Sequence, residues 1–264
     1  MGLILTDRKL IIPEFEINLE DLGLAKVTRK AAKDVVNTMK REIHELAVAD
    51  HMRTTGSSMD EAYVAQNKSY PMTTQHLSEP AKKHHEQIYK AYTEILTRVS
   101  VEVDSADKEN VSSAHSAYRN AKKDEVYNLN ATYLHELFFA NCFDLNSELF
   151  QDSDTYIYLS RDWGSFDVWM KDFMAAALVS RGGWVVCGYS LFLKRFVNVS
   201  VDSHDQGVPM GFVPILVIDM WEHAYVRDYG ADKKGYLTAM MREIDWEVVN
   251  DRVGRVTGLK EVMA

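Results

Sequence analysis

The spacing of apolar and polar positions divides the chain into a helical first part and a strand-rich second part. In residues 25–49 the apolar positions recur every three or four residues between charged ones, which predicts one long amphipathic helix. Two more helices are predicted at residues 79–100 and 113–143. Ser78 is a suitable N-cap for the first of these, and Pro80 fits its first turn.

The pattern changes after a fourth predicted helix at residues 162–180. Runs rich in Val, Ile, Phe and Tyr follow at residues 184–201 and 212–219 and predict two or three consecutive strands. Residues 221–250 return to a helical pattern. This order predicts an α+β fold, with an N-terminal helical hairpin followed by a C-terminal domain in which helices flank a small three-stranded antiparallel sheet.

Three segments are expected on this basis. Residues 1–70 form an N-terminal extension, an arm of one or two short strands followed by the amphipathic helix. Residues 71–150 form the helical hairpin domain, and residues 151–264 form the α/β domain with the sheet. The amphipathic helix of the extension needs an apolar partner, inside the protomer or outside it.

Composition narrows the functional class. Apolar residues make up 46% of the chain and charged residues 26%, as in soluble globular proteins. The net charge of −9 weighs against nucleic-acid binding, and no apolar run is long enough to cross a membrane. The N-terminus does not resemble a secretory signal, so an intracellular, cytoplasmic protein is expected. Cys142 and Cys187 are then expected to be reduced thiols.

The most informative segment is DMWEHAY, which directly follows the last apolar strand. Asp219 ends that strand and His223 follows four residues later near the start of a helix, so both can point at one ion. Two further histidines are sought on helices that pack together, and His84 and His135 are the candidates. Three neutral imidazoles and one carboxylate suit a metal that cycles between divalent and trivalent states.

Several segments between residues 77 and 250 resemble the iron/manganese superoxide dismutases. They are DMWEHAY, KKHHEQIYKAY, YNLNATYLHELFFANC, RDWGSFDVWMKDFMAAAL, the Gly-Gly-Trp ending at Trp184, and GYLTAMMREIDWEVVNDR. The resemblance implies that one iron or manganese ion per subunit is held by His84, His135, Asp219 and His223. It also implies that Tyr92, eight residues after His84, lies beside the metal.

The resemblance implies an outer hydrogen-bonding group as well, because a Gln or His in this family bonds the metal-bound solvent. One position that can supply it is Ala131 here, which is apolar. The other position lies in the loop before the last strand, where His204 is the first candidate and Gln206 its competitor. Trp184 and Trp221 are expected to wall the pocket.

The implied activity is the dismutation of superoxide to dioxygen and hydrogen peroxide. A homodimer or a higher homo-oligomer is expected, with Glu222 at the subunit interface. Two positions depart from the family pattern: Ile88 stands where a His is usual, and Val226 where a Tyr is usual. In the family, that His and Tyr form a polar pair at the mouth of the substrate channel.

An alternative of another class stays open at this point. The chain could be a structural or assembly protein that keeps the dismutase fold and binds a protein partner through residues 1–70. The lost polar pair and the long extension motivate it. The intact ligand set favours the enzyme, because a purely structural descendant has little reason to keep all four side chains.

Overall fold

A computed structural model describes six stretches of the chain, which are residues 4–5, 9–12, 15–18, 68–70, 72–142 and 147–262. The chain divides into two compact units, residues 1–59 and 60–264. The first contains the short strands β1 (Ile4–Leu5), β2 (Lys9–Ile12) and β3 (Phe15–Asn18), paired antiparallel in that order. The amphipathic helix expected at residues 25–49 lies outside the described residues.

The second unit begins with the expected helical hairpin, formed by α1 (Glu79–Ser105) and α2 (Ala117–Ala140). The Ser78 hydroxyl accepts a hydrogen bond from the Ala81 amide and caps α1, as the sequence predicted. Helix α1 continues about one turn beyond its expected end, because the buried Val103 packs with Ala121 on α2. No described helix is long and apolar enough to span a membrane.

The helix expected at residues 162–180 begins four residues later than predicted, and a helix that the sequence did not predict precedes it. The unpredicted helix is α3 (Asp154–Trp163), the expected one is α4 (Phe166–Val179), and the break between them is local. Gly164 adopts a left-handed conformation with φ of 87°, which ends α3 at little steric cost. The Ser165 hydroxyl then accepts from the Val168 amide and starts α4.

The sheet agrees with the sequence-based prediction of three antiparallel strands. Its strands are β4 (Trp184–Ser190), β5 (Arg195–Val201) and β6 (Phe212–Asp219), in the order β5-β4-β6. Every residue of the central strand β4 is buried, so both of its faces are covered. Trp184 pairs with Asp219 across the sheet, which places the end of β6 beside the first residue of β4.

The last helical segment, expected as one helix at residues 221–250, is three. They are α5 (Glu222–Tyr229), α6 (Lys233–Met240) and α7 (Trp246–Val262). Gly230, with φ of 56°, ends α5, and the Asp232 carboxylate caps α6 by accepting from the Gly235 amide.

One apolar core joins the hairpin to the sheet. It contains Tyr89 from α1, Phe138 from α2, Trp169 from α4 and all of the buried apolar residues of β4. The Arg252 side chain fastens α7 to it by donating to Asn141 Oδ1, Ile215 O and Leu137 O. The α+β fold expected from the sequence is therefore confirmed, and its core surrounds the polar cluster described next.

Candidate metal centre

Four polar side chains from four different elements meet inside the core. They are His85 of α1, His135 of α2, Asp219 at the end of β6 and His223 of α5. One ligand atom from each lies within 4.8 Å of all the others. In the part of the chain that the structure describes, this is the one group of its kind.

The cluster contains His85 and not His84, so the expectation for the first ligand is corrected by one residue. His84 is exposed, whereas His85 is 1% exposed and its Nε2 lies 2.9 Å from Asp219 Oδ2. The reason is the helical phase of α1. The inward face of the helix is set by Ala81, Tyr89 and Leu96, and His85 shares that face while His84 is turned about 100° away.

His135 has the arrangement that a metal-binding imidazole needs. Its Nδ1 donates to the Ala131 carbonyl oxygen at 2.6 Å, so the neutral ring carries its lone pair on Nε2. That Nε2 is buried, has no hydrogen-bond partner among the described residues, and lies 3.7 Å from Asp219 Oδ2. Burial lowers the pKa of His135 to about 3, so the ring is neutral at pH 7.

The other two histidines face the same carboxylate oxygen. His85 Nε2 and His223 Nε2 lie 2.9 and 3.0 Å from Asp219 Oδ2. Burial raises the pKa of Asp219, but the neighbouring His223 and His85 outweigh burial and hold that pKa well below its usual range. Burial also lowers the pKa of His85, whereas for His223 the attraction of Asp219 overcomes burial and the pKa is raised.

These donors fit a bound transition-metal ion. Three imidazole Nε2 atoms and one carboxylate oxygen converge, and the unpaired buried Nε2 of His135 has a lone pair that a cation would satisfy. The His135 Nδ1–H bond to a backbone carbonyl is the support that metal-bound histidines commonly have, since it fixes both the tautomer and the ring orientation.

A second set of polar side chains lies beside the cluster. The Trp184 Nε1–H donates to His204 Nδ1 at 3.0 Å, and His204 Nε2 lies 2.9 Å from the Tyr92 hydroxyl. The Tyr92 ring in turn contacts the His135 ring, with centroids 5.5 Å apart. Of the two candidates in the loop before β6, His204 is buried here whereas Gln206 is exposed, so the geometry selects His204 over Gln206.

Aromatic rings close the remaining sides. Trp221 is stacked against His223 with centroids 6.1 Å apart, Trp184 meets His135 edge-on at 4.9 Å, and Phe139 lies 5.0 Å from His85. Trp184 is fully buried and Trp221 partly so. Both tryptophans therefore lie directly beside the cluster.

Sequence reasoning missed two residues near this centre, His85 as a member of the cluster and Tyr127 beside His204. A signal for His85 was available, because it lies four residues after Ala81 and four before Tyr89 on the apolar face of α1. Tyr127 gave no such signal, since its ring meets His204 only through the tertiary fold, at a centroid distance of 4.7 Å.

Comparison with known proteins gives one consistent family. Residues 152–252 match the model of the C-terminal domain of iron/manganese superoxide dismutases. A superoxide dismutase [Mn] from Haloarcula marismortui is 32% identical over 180 residues, which cover 67% of this chain and 86% of the relative. A superoxide dismutase [Fe] from Aquifex aeolicus is 30% identical over 182 residues, covering 66% and 83%. Superoxide dismutase [Mn] 2 from Halobacterium salinarum is 30% identical over 194 residues, covering 73% and 94%.

Proposed function

This chain belongs to the iron/manganese superoxide dismutase family, and we propose that His85, His135, Asp219 and His223 hold the ion with which it acts. The activity is the dismutation of superoxide to dioxygen and hydrogen peroxide, with an iron or manganese ion as cofactor. The observation that carries the ligand assignment is His135 Nε2, a buried lone pair with no hydrogen-bond partner among the described residues that converges with three other donors on one point.

A bound iron or manganese ion would supply one-electron redox chemistry, because both metals have divalent and trivalent states. The protein supplies the donor set. Three neutral imidazoles and the Asp219 carboxylate would bring one negative charge to the ion. The Nδ1–H bond from His135 to the Ala131 carbonyl keeps one of these rings in its binding tautomer.

Proton handling falls to Tyr92 and His204. The reduced substrate takes up two protons before it leaves as hydrogen peroxide. Burial lowers the pKa of His204 to about 4, so at pH 7 this imidazole is neutral and can hold a proton on only one nitrogen. His204 Nδ1 accepts a hydrogen bond from the Trp184 Nε1–H, so the ring proton of His204 is on Nε2. His204 Nε2 then donates to the Tyr92 hydroxyl oxygen.

The aromatic rings around the cluster limit what can reach it. Trp184, Trp221 and Phe139 pack their rings against His135, His223 and His85, so the cluster is shielded from solvent on those sides. The half-buried Ile88 and the exposed Val226 carry no polar group, so neither can pass protons at the positions where the family has a His and a Tyr. Proton delivery in this chain therefore depends on other side chains.

The direct test combines elemental analysis with a superoxide-consumption assay on the purified full chain. We expect about one iron or manganese per subunit and rapid turnover, lost together in Asp219→Asn and kept in the exposed control His115→Ala. Reconstitution with each metal in turn identifies the active one. One bound ion without turnover would instead support the structural alternative, which neither the comparisons nor the described residues favour.

We propose in addition that the protein is a homodimer. Glu222 is exposed next to His223, and Val226, on the same helix, is 45% exposed, so this face beside the metal centre is available to a second copy. Sedimentation analysis should show a dimer that Glu222→Lys weakens and that the exposed control Glu109→Lys does not. A wild-type monomer would refute the proposal.

Residues 1–70 are proposed to bind a protein partner, because the alignments to relatives cover only 66% to 73% of this chain. Deleting residues 1–59, which form a compact unit of their own, should then reduce the size of native complexes and leave dismutase activity intact.

An intracellular location is proposed from Cys142 and Cys187, both buried and unpaired as in a reducing compartment. Cell fractionation tests it.

A further inference from the structure

Tyr127 has no role in the centre described so far, yet its ring packs against the groups that handle protons. It lies on α2, two helical turns before His135. Its ring meets His204 edge-on, with centroids 4.7 Å apart and planes at 78°, and lies 6.3 Å from the ring of Tyr92. Because Tyr92 and His204 are themselves 4.8 Å apart, the three rings form one mutual cluster.

The polar atoms of this cluster have defined directions. The indole of Trp184 can only donate, so His204 must accept at Nδ1 and donate at Nε2 to the Tyr92 oxygen. The hydrogen of the Tyr92 hydroxyl is therefore free for another acceptor. Burial, and after it the neighbouring Tyr127, raises the pKa of Tyr92, so this hydroxyl is protonated at pH 7.

Tyr127 is partly exposed, so solvent reaches part of its side chain. A surface cavity of about 510 Å³ lies near it, and the cavity wall includes Lys123, one turn before Tyr127, together with Val126 and Asp205, which are the chain neighbours of Tyr127 and His204. The other lining residues include Arg119, Lys122 and three serines, so this part of the surface is hydrophilic.

We propose that Tyr127 is a positioning residue that links the Tyr92 hydroxyl to solvent and carries the protons that the apolar Ile88 and Val226 cannot. This inference rests on the proposed function. When the reduced substrate takes the hydroxyl proton of Tyr92, the Tyr127 hydroxyl passes its own proton to the Tyr92 oxygen. Water at the exposed part of Tyr127 then returns one proton to Tyr127, so each hydroxyl gives one proton and gains one.

The kinetic test uses Tyr127→Phe, which removes only the hydroxyl and keeps the ring packing. Tyr133→Phe is the matched control, since Tyr133 lies on the same helix but is 46% exposed. We expect kcat of Tyr127→Phe to fall about 10-fold, less than the 10²- to 10⁴-fold typical of a group that transfers the proton directly. The value of kcat/KM should change little, and the solvent deuterium isotope effect on kcat should rise. The control should match the wild type.

A second readout does not require turnover. In the full chain loaded with zinc, which is redox-inert and suits imidazole and carboxylate ligands, tyrosines are labelled with carbon-13 at the ring carbon that bears the hydroxyl. In a half-deuterated solvent this carbon gives one averaged line when the hydroxyl exchanges quickly and two lines when it exchanges slowly. The Tyr92 line, assigned with Tyr92→Phe, should be single in the wild type and in Tyr133→Phe and split in Tyr127→Phe.

The outcomes separate the two proposals. An inactive wild-type enzyme with either metal would refute the proposed function, while the zinc-loaded protein would still decide the role of Tyr127. An active wild type, with kcat and the Tyr92 line both unchanged in Tyr127→Phe, would overturn the role of Tyr127 alone. The role of Tyr127 would also be overturned if kcat and kcat/KM of Tyr127→Phe fell equally, its Tm fell and its Tyr92 line stayed unsplit. That pattern would show that the hydroxyl of Tyr127 only supports the fold.

Discussion

Two adjacent histidines on α1 give the sharpest test of the metal centre. His85→Ala should abolish metal binding and activity, whereas His84→Ala should leave both unchanged. The two variants remove the same side chain at neighbouring positions, so differences in composition or charge cannot explain a different result. Only the helical phase separates them, since His85 is 1% exposed and His84 lies on the outer face.

The magnitude follows from the contacts. Changing a group that merely supports a ligand costs about 10- to 100-fold in metal affinity, so loss of a ligand should cost at least about 100-fold. In the metal-free protein, His85→Ala also removes the 2.9 Å hydrogen bond to the Asp219 carboxylate, worth about 1.5 to 3 kcal/mol. At about 2 to 4 °C per kcal/mol, Tm should fall by about 3 to 12 °C. His84→Ala should stay within about 0.5 kcal/mol.

The assay is metal content per subunit by elemental analysis, with superoxide consumption and thermal unfolding measured on the same preparations. Metal-free protein is compared with metal-free protein, so that any loss of the ion does not enter the Tm comparison. If His84→Ala lost the metal and His85→Ala kept it, the phase of α1 deduced from the structure would be wrong. The assignment of His84 from the sequence resemblance would then be restored.

Three further predictions concern the surroundings of the cluster. Trp184→Phe removes the donor that fixes the His204 tautomer, so activity should fall about 10-fold with metal content unchanged; loss of the metal would contradict this. The pKa of His223 is raised above 6.5 in the metal-free protein, so metal binding should release a proton from this ring. The release should grow as pH falls toward 6.5 and should vanish well above the raised pKa. Calorimetry in two buffers of different ionisation enthalpy measures the number of protons released. In the metal-free protein the same shift adds stability that is fully present below pH 6.5 and is lost as pH rises through the raised pKa. Arg252→Met should lower the free energy of unfolding by about 3 kcal/mol, because the Ile215 and Leu137 carbonyls lose a charged donor. The exposed control Arg255→Met should change the free energy of unfolding by less than about 0.5 kcal/mol. Equal effects of the two variants would refute this role of Arg252.

The sequence determined the elements of this fold wherever the determinants are local. Ser78 caps α1 through its own side chain, and the runs that form β4 to β6 carry the residues that strands favour. Breaks were harder to predict, because a helical pattern continues across Gly164 and Gly230. Their left-handed conformations divide it into separate helices.

The sequence also identified three of the four members of the cluster, since Asp219, His135 and His223 lie in segments whose resemblance to the family is specific. The tertiary structure decided what depends on direction in space. The choice between His84 and His85 is a rotation of about 100° about α1, which is set by packing of the whole helix face. Tyr127 meets His204 from 77 positions away along the chain, because α2 and the loop before β6 pack together in the fold. Residue types and spacing specify the available chemistry, but only packing fixes which of two neighbouring histidines joins the cluster.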